Sequence, residues 1–178
     1  RSKNSVLSIP FVSAMTLTGA ARLESPASYT DIATGMRRDF YAASAIQQDM
    51  RELYRRMVYN ALCNNSDDHL RNHGFLFLPA PNGRAGWALS PAYDVVPQPA
   101  MDDSPRVSHL GIGPEGRRAT VSNLLAAGRH FGIQAAEAQA LVDEIRGTIR
   151  QNWEDTFLAA GVPQRNMQDL RNCFALAL

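Results

Sequence analysis

Along residues 40–64, apolar side chains return every three or four positions: Ile46, Met50, Leu53, Met57 and Ala61 form one stripe, widened by Tyr54, Val58 and Leu62. That is the period of a helix with one buried face. The spacing predicts a long amphipathic helix over 40–64, with Asp39 as its N-cap, Glu52 one turn from Arg55 and Arg56, and Arg51, Arg55 and Arg56 as an exposed flank. Asn64 and Asn65 end it, because asparagine tolerates turn and left-handed conformations. The pattern then changes. Phe75 to Leu78 is a short apolar run, Asn82-Gly83 is a hairpin turn signal, and Trp87 to Leu89 is a return strand, so 74–91 predicts a β-hairpin. Pro91 keeps Ser90 out of the helical region. Pro97, Pro99, Pro105 and Pro114 mark 92–118 as a long irregular segment. Helical periods resume over about 120–131, 134–158 and 164–177, broken at Gly161-Val162-Pro163, and Trp153 and Phe157 share a packing face. Nearer the start, 6–20 is either extended or helical, which its period does not separate, and 23–39 is a loop followed by a short helix. The expected fold is mainly α with a small β-hairpin.

Composition changes little in this picture. The 178 residues suit one domain or part of a larger protein, 45% are apolar and 20% charged, so a core is expected and wholesale disorder is not. A net charge of +1 gives no global field toward nucleic acid or membrane, and no apolar run reaches a spanning length. No signal-peptide pattern is visible. Cys63 and Cys173 stand without a partner at metal-ligand spacing, which suggests reduced thiols in a cytoplasmic setting. Lys3 is the only lysine.

Chemistry concentrates in CNNSDDHLRNHGFLF, residues 63–77. Asp67 and Asn72 have the D-x-x-x-x-N spacing of phosphotransferase catalytic loops. There the aspartate must reach the attacking hydroxyl, and the asparagine offers a neutral oxygen to Mg²⁺, which prefers hard oxygen ligands. Asp94 follows the predicted hairpin, which would return it beside the loop; its plainer role is to cap the turn after Pro91, with Tyr93 as ordinary core. His69 and His73 are four apart and, on a helix, could hold zinc with Asp67 or Asp68, although Leu70 stands where zinc proteases place glutamate. Asp68 reads as a solvated neighbour or an N-cap. GIGPEG, residues 111–116, is a literal G-x-G-x-x-G, but Pro114 removes a backbone donor and the segment lies downstream of Asp67, so it reads as a turn. Arg117-Arg118 beside it adds a small basic spot and reads as solvated surface. Asp102-Asp103 receives no role.

The stretches LYRRMVYNALCNNSDDHLRNHGFL, WALSPAYDVVP and PFVSAMTLTGA resemble the C-terminal kinase domain of the HipA family. These are serine/threonine protein kinases, mostly the toxin halves of bacterial toxin–antitoxin pairs. The resemblance implies the C-terminal lobe of a HipA-like, protein-kinase-like fold over 1–178, with the amino-terminal lobe outside the chain. It implies that Asp67 is the catalytic aspartate, that Asn72 and Asp94 bind magnesium, and that His69 and Tyr93 lie near ATP. The implied cofactors are ATP and Mg²⁺. The implied partners are a protein substrate, such as an aminoacyl-tRNA synthetase, and a helix-turn-helix antitoxin, with DNA met only through the antitoxin and no membrane. The family's phosphate-binding loop and ATP-anchoring lysine lie upstream of the matched region, and Lys3 precedes any matched strand, so the isolated chain is expected to be inactive. Two alternatives stand beside this one. One is a non-catalytic regulatory module acting with an antitoxin. The other is a metal-dependent hydrolase using Asp67, His69, His73 and Asp94.

Overall fold

The computed structural model describes residues 8–22, 26–39, 43–79, 85–100 and 105–178. The Asn82-Gly83 turn, Asp102-Asp103, Lys3 and the predicted helix start at 40–42 lie outside them. In chain order the elements are β1 (Phe11–Ser13), α1 (Ala14–Thr18), α2 (Tyr29–Asp39), α3 (Ala43–Leu62), β2 (Gly74–Pro79), β3 (Ala85–Leu89), α4 (Val121–Ala127), α5 (Ala135–Ala159) and α6 (Met167–Arg171), with single 3-10 turns between some of them. The fold is mainly helical with one small antiparallel sheet, ordered β1-β2-β3.

The predicted stripe of the long helix is its buried face. Met50, Leu53, Tyr54, Met57, Val58, Ala61 and Leu62 are all buried, and Ile46 packs at the margin. Burying each of the Met, Leu and Val side chains stabilises the fold by about 1.5–3 kcal/mol. α3 packs against α2, α5 and β3. Its arginines are not simply an exposed flank. Arg51 pairs with Glu137 and Arg55 with Glu144 (3.0 Å), which ties α3 to α5. Arg56 is nine-tenths buried, bonded to Glu52 at 2.9 Å and to the Ser90 carbonyl at 2.6 Å. A half-buried carboxylate on the same helix, Asp49, accepts the Leu89 backbone N–H at 2.9 Å and so holds β3 against α3. Burial pushes the Asp49 carboxyl above its ordinary range.

The hairpin pairs Phe75 with Leu89 and Phe77 with Trp87, and it gains a third strand at its edge, with Val12 opposite Phe75. The ambiguous segment 6–20 thus holds both candidate conformations, a strand over Phe11–Ser13 and a helix over Ala14–Thr18. Ser13 makes the switch by capping the helix, its Oγ accepting the Thr16 N–H at 3.4 Å. Asp39 is not the N-cap of α3: it is the last residue of α2, paired with Arg38 at 2.7 Å. Residues 164–177 do not form one helix. They break into a 3-10 turn at Gln164–Asn166, α6, and a 3-10 turn at Asn172–Phe174. Arginine side chains take carbonyls there: Arg106 bonds those of Asn172 (2.7 Å) and Cys173 (3.2 Å), and Arg150 bonds that of Ala177 (2.7 Å). Trp153, Phe157 and Phe174 pack together, as the Trp153/Phe157 spacing suggested. No described helix is long and apolar enough to cross a membrane.

Candidate active site

α3 ends in a left-handed residue. Asn64 has φ 55°, its N–H reaches the Ala61 carbonyl at 3.4 Å, and the Asn65 N–H reaches the Asn60 carbonyl at 2.8 Å. This is the double-bonded helix stop usually built on glycine. It turns the chain sharply into the polar loop. A 3-10 turn over Leu70–Asn72 follows, flanked by His69 and His73 in extended backbone, and then β2 begins.

The loop divides its polar side chains between two faces. Asp67 is exposed, whereas Asp68 is 3% exposed and His73 1%. Asp68 is therefore neither a solvated neighbour nor a cap. Its Oδ2 accepts the Tyr29 hydroxyl and lies 3.1 Å from His73 Nε2. Asn60 Nδ2 donates to the Tyr29 oxygen at 3.0 Å, and Asn65 Nδ2 donates to Asn60 Oδ1 at 3.2 Å. The Tyr29 ring meets His73 edge-on with centroids 5.3 Å apart. Burial, and then the Asp68 carboxylate, hold the Tyr29 hydroxyl protonated well above the ordinary tyrosine range.

Asn72 is buried at the turn, and its Nδ2 points to the Asp67 carbonyl at 3.5 Å, which directs the amide oxygen away from that carbonyl. The Tyr93-Asp94 pair returns to this turn. The Tyr93 hydroxyl donates to the carbonyl of Arg71, the residue before Asn72, at 2.6 Å. The return path is fixed by Ser90, whose N–H bonds the Gly74 carbonyl at 2.8 Å and whose carbonyl accepts from Arg56. Asp94 is exposed and holds φ 56°, so Asn64 and Asp94 are the non-glycine residues in left-handed backbone among those described. Such a conformation is tolerated best by Asn and Asp and recurs at functional sites. Burial raises the Tyr93 hydroxyl pKa, Asp94 and Asp68 raise it further, and Arg56 opposes them. Tyr93 is thus a half-exposed strut rather than ordinary core. His69 meets His109 edge-on at 6.0 Å, beside the Ser66 carbonyl that accepts the His109 N–H at 3.0 Å.

The zinc arrangement does not form. His69 and His73 flank a 3-10 turn instead of sharing a helix face, and His73 Nε2 is engaged by Asp68. Among the described residues no group of three His, Cys, Asp or Glu side chains is placed to hold a metal ion. Asn72 and Asp94 carry hard oxygen donors on two segments joined by the Tyr93–Arg71 bond, and oxygen donors of that kind suit a Mg²⁺ bound largely through phosphates and water. GIGPEG is a turn, as its context predicts. Its backbone donors are engaged: Gly111 to Ala27, Ile112 and Gly113 to Gly116, Glu115 to Asn123 Oδ1, and Gly116 to Gly113. Tyr29 and Asn60 carry no pattern that ties them to the loop in sequence. Asp68 and His73 do stand in a readable place, each directly after a member of the D-x-x-x-x-N pair and with the same spacing.

A family model described as the HipA-like C-terminal domain matches residues 1–153. The chain belongs to this family. A solved structure from Shewanella oneidensis MR-1, a complex of toxin–antitoxin proteins HipA and HipB with operator DNA, matches with a TM-score of 0.68 over 97% of this chain at 16% identity. The HipA-like domain spans 46% of that structure's matched chain. No curated protein sequence matches it. At such identity the structural likeness shows the fold, and the fold of this HipA-like domain is that of the HipA C-terminal region.

Proposed function

We propose that this HipA-like domain is the catalytic lobe of a serine/threonine protein kinase that transfers the ATP γ-phosphate to a protein hydroxyl. The observation that supports it most is the Tyr93–Arg71 bond, which ties the segment carrying Asp94 to the turn carrying Asn72, with Asp67 exposed nearby in sequence. In this reading Asp67 orients the substrate hydroxyl and accepts its proton as the oxygen attacks the γ-phosphorus. The bond from that phosphorus to the bridging oxygen breaks, and ADP leaves. Asn72 and Asp94 would hold Mg²⁺, which supplies charge neutralisation on the phosphates when bound. Tyr93 and His69 line the nucleotide side. Most of the rate would come from positioning and electrostatics.

The complete protein would be the toxin of a toxin–antitoxin pair, acting in the cytoplasm. Its partner would be a DNA-binding antitoxin, with DNA reached through that partner, as the composition of the Shewanella complex suggests. The substrate to try first is an aminoacyl-tRNA synthetase. The phosphate-clamping lysine would come from outside the domain, since Lys3 is the only lysine, and the 178 residues alone would be inactive.

The test is phosphotransfer from γ-labelled ATP by the complete protein, with the isolated domain beside it. Transfer that needs Mg²⁺ and disappears in Asp67→Asn supports the assignment. Wild-type transfer by Asp67→Asn overturns it, and transfer by the isolated domain overturns the need for the second lobe. A complete protein that binds its antitoxin yet transfers nothing would instead mark a regulatory module.

A further inference from the structure

Two of the three residues assigned to the chemistry are each one peptide bond from a member of the buried network: Asp67 precedes Asp68, and Asn72 precedes His73. The bond between Asp68 Oδ2 and His73 Nε2 therefore closes the loop directly behind the Asp67–Asn72 interval. We propose that Tyr29, Asp68 and His73 form a clamp that sets the separation of Asp67 and Asn72 and keeps Asp67 at the surface. This rests on the kinase reading for its catalytic consequence, though the clamp itself does not.

Asp67 stands exposed in a turn and Asp68 beside it is buried, so anchoring the Asp68 carboxylate anchors the backbone that carries Asp67. A buried carboxylate is costly unless its oxygens are paired, and here the donors come from separate parts of the fold. Tyr29 opens α2, and His73 leads into β2. Asn60 on α3 supports the tyrosine oxygen, and Asn65 supports Asn60. Tyr29 is itself fixed at both ends, since its backbone N–H donates to the Gly111 carbonyl at 2.9 Å. The G-x-G turn thus serves the candidate site from behind. Asp68 is a positioning residue in this scheme, neither base nor metal ligand.

The experiment compares Tyr29→Phe, Asp68→Asn and Asp68→Ala in the complete protein, by steady-state phosphotransfer and by amide hydrogen exchange. Tyr29→Phe keeps the ring and removes one donor, and Asp68→Asn keeps an oxygen acceptor. Expected are a kcat lower by about a hundredfold in Asp68→Ala with the KM for ATP within about twofold, and a smaller loss in the other two. Exchange should quicken at 64–73 while α5 stays protected. Asp68→Asn should recover most of what Asp68→Ala loses. Wild-type kcat in folded Tyr29→Phe and Asp68→Asn, or exchange that quickens evenly across the domain, would overturn the clamp. If the wild type transfers no phosphate, the kinase reading fails, and localised exchange in Tyr29→Phe still decides for or against the clamp.

Discussion

Two loops of this domain carry sequence patterns associated with phosphate chemistry, and they differ in where their polar groups point. In 111–116 the backbone donors face inward, tied to one another, to Ala27 and to the fully buried Asn123. In 64–73 the buried side chains of Asn65, Asp68 and His73 bond inward to Asn60, to Tyr29 and to one another, and Asp67 is left on the surface. A motif is therefore only as informative as the accounting of its donors and acceptors. A glycine-rich loop whose N–H groups are already bonded has nothing to offer an anion. Asp67, beside the inward-bonded Asp68, keeps its carboxylate exposed.

The largest effect expected is at Asp94. Asp94→Ala in the complete protein should lower phosphotransfer at least about a thousandfold, because the carboxylate proposed to hold Mg²⁺ would be lost. The alanine must also adopt φ 56°, which costs about 1 kcal/mol. Asp94→Asn tolerates that backbone and separates the two effects. It should melt near the wild type and remain inactive. Activity retained in either variant would remove Asp94 from the site, and the contrast between the loops would lose its functional side.

Next is Asn123, which holds the inward-facing loop. Its Oδ1 accepts the Glu115 N–H at 3.0 Å, and its Nδ2 donates to the carbonyls of Gly116 (3.1 Å) and Arg118 (2.8 Å). Gly113 leaves room for it, since a Cβ there would lie 2.6 Å from Asn123 Oδ1. Asn123→Ala should cost about 3 kcal/mol in denaturant unfolding, because several groups lose partners away from water. Binding of inorganic phosphate should be undetectable before and after the change. Phosphate binding by 111–116 in the wild type would erase the distinction between the loops.

Tyr93→Phe is expected to be milder. It removes one hydrogen bond, to the Arg71 carbonyl on a partly exposed strut, and should cost about 1 kcal/mol of stability. If that bond seats Asp94, the KM for Mg²⁺ should rise while the far-UV circular dichroism spectrum stays unchanged. An unchanged KM would mean that the backbone from Ser90 onward positions Asp94 without the tyrosine.

The period of apolar residues made α3, α5 and the hairpin legible because each has one buried face, and burial follows position on that face. Asp67, Asn72 and Asp94 stand out in the sequence as candidates because their spacing is local or bridged by a hairpin of readable length. Asp68 was misjudged for a physical reason. Whether an aspartate is solvated or buried depends on what lies opposite it, and the opposing tyrosine stands 39 residues earlier. The breakup of 164–177 was equally hidden, since the carbonyls there are taken by Arg106 and Arg150 from elsewhere in the chain. The short strand β1 was open to either assignment because the Ser13 cap changes the conformation within one apolar run.

The smallest effect is expected at Asn64, where two terms oppose. Glycine adopts the left-handed backbone more readily than asparagine, which favours Asn64→Gly by a few tenths of a kcal/mol at a helix stop. Yet Asn64 Nδ2 also donates to the Gln98 carbonyl at 2.8 Å, tying the start of the site loop to the segment beyond Asp94, and that bond would be lost. Its net worth is about 1 kcal/mol. Asn64→Gly should therefore destabilise by only about 0.5 kcal/mol, whereas Asn64→Ala, which loses the bond and strains the backbone, should cost about 2 kcal/mol. Equilibrium unfolding of the two variants separates these terms. If Asn64→Gly were more stable than the wild type, the bond from Asn64 to the Gln98 carbonyl would contribute nothing to stability.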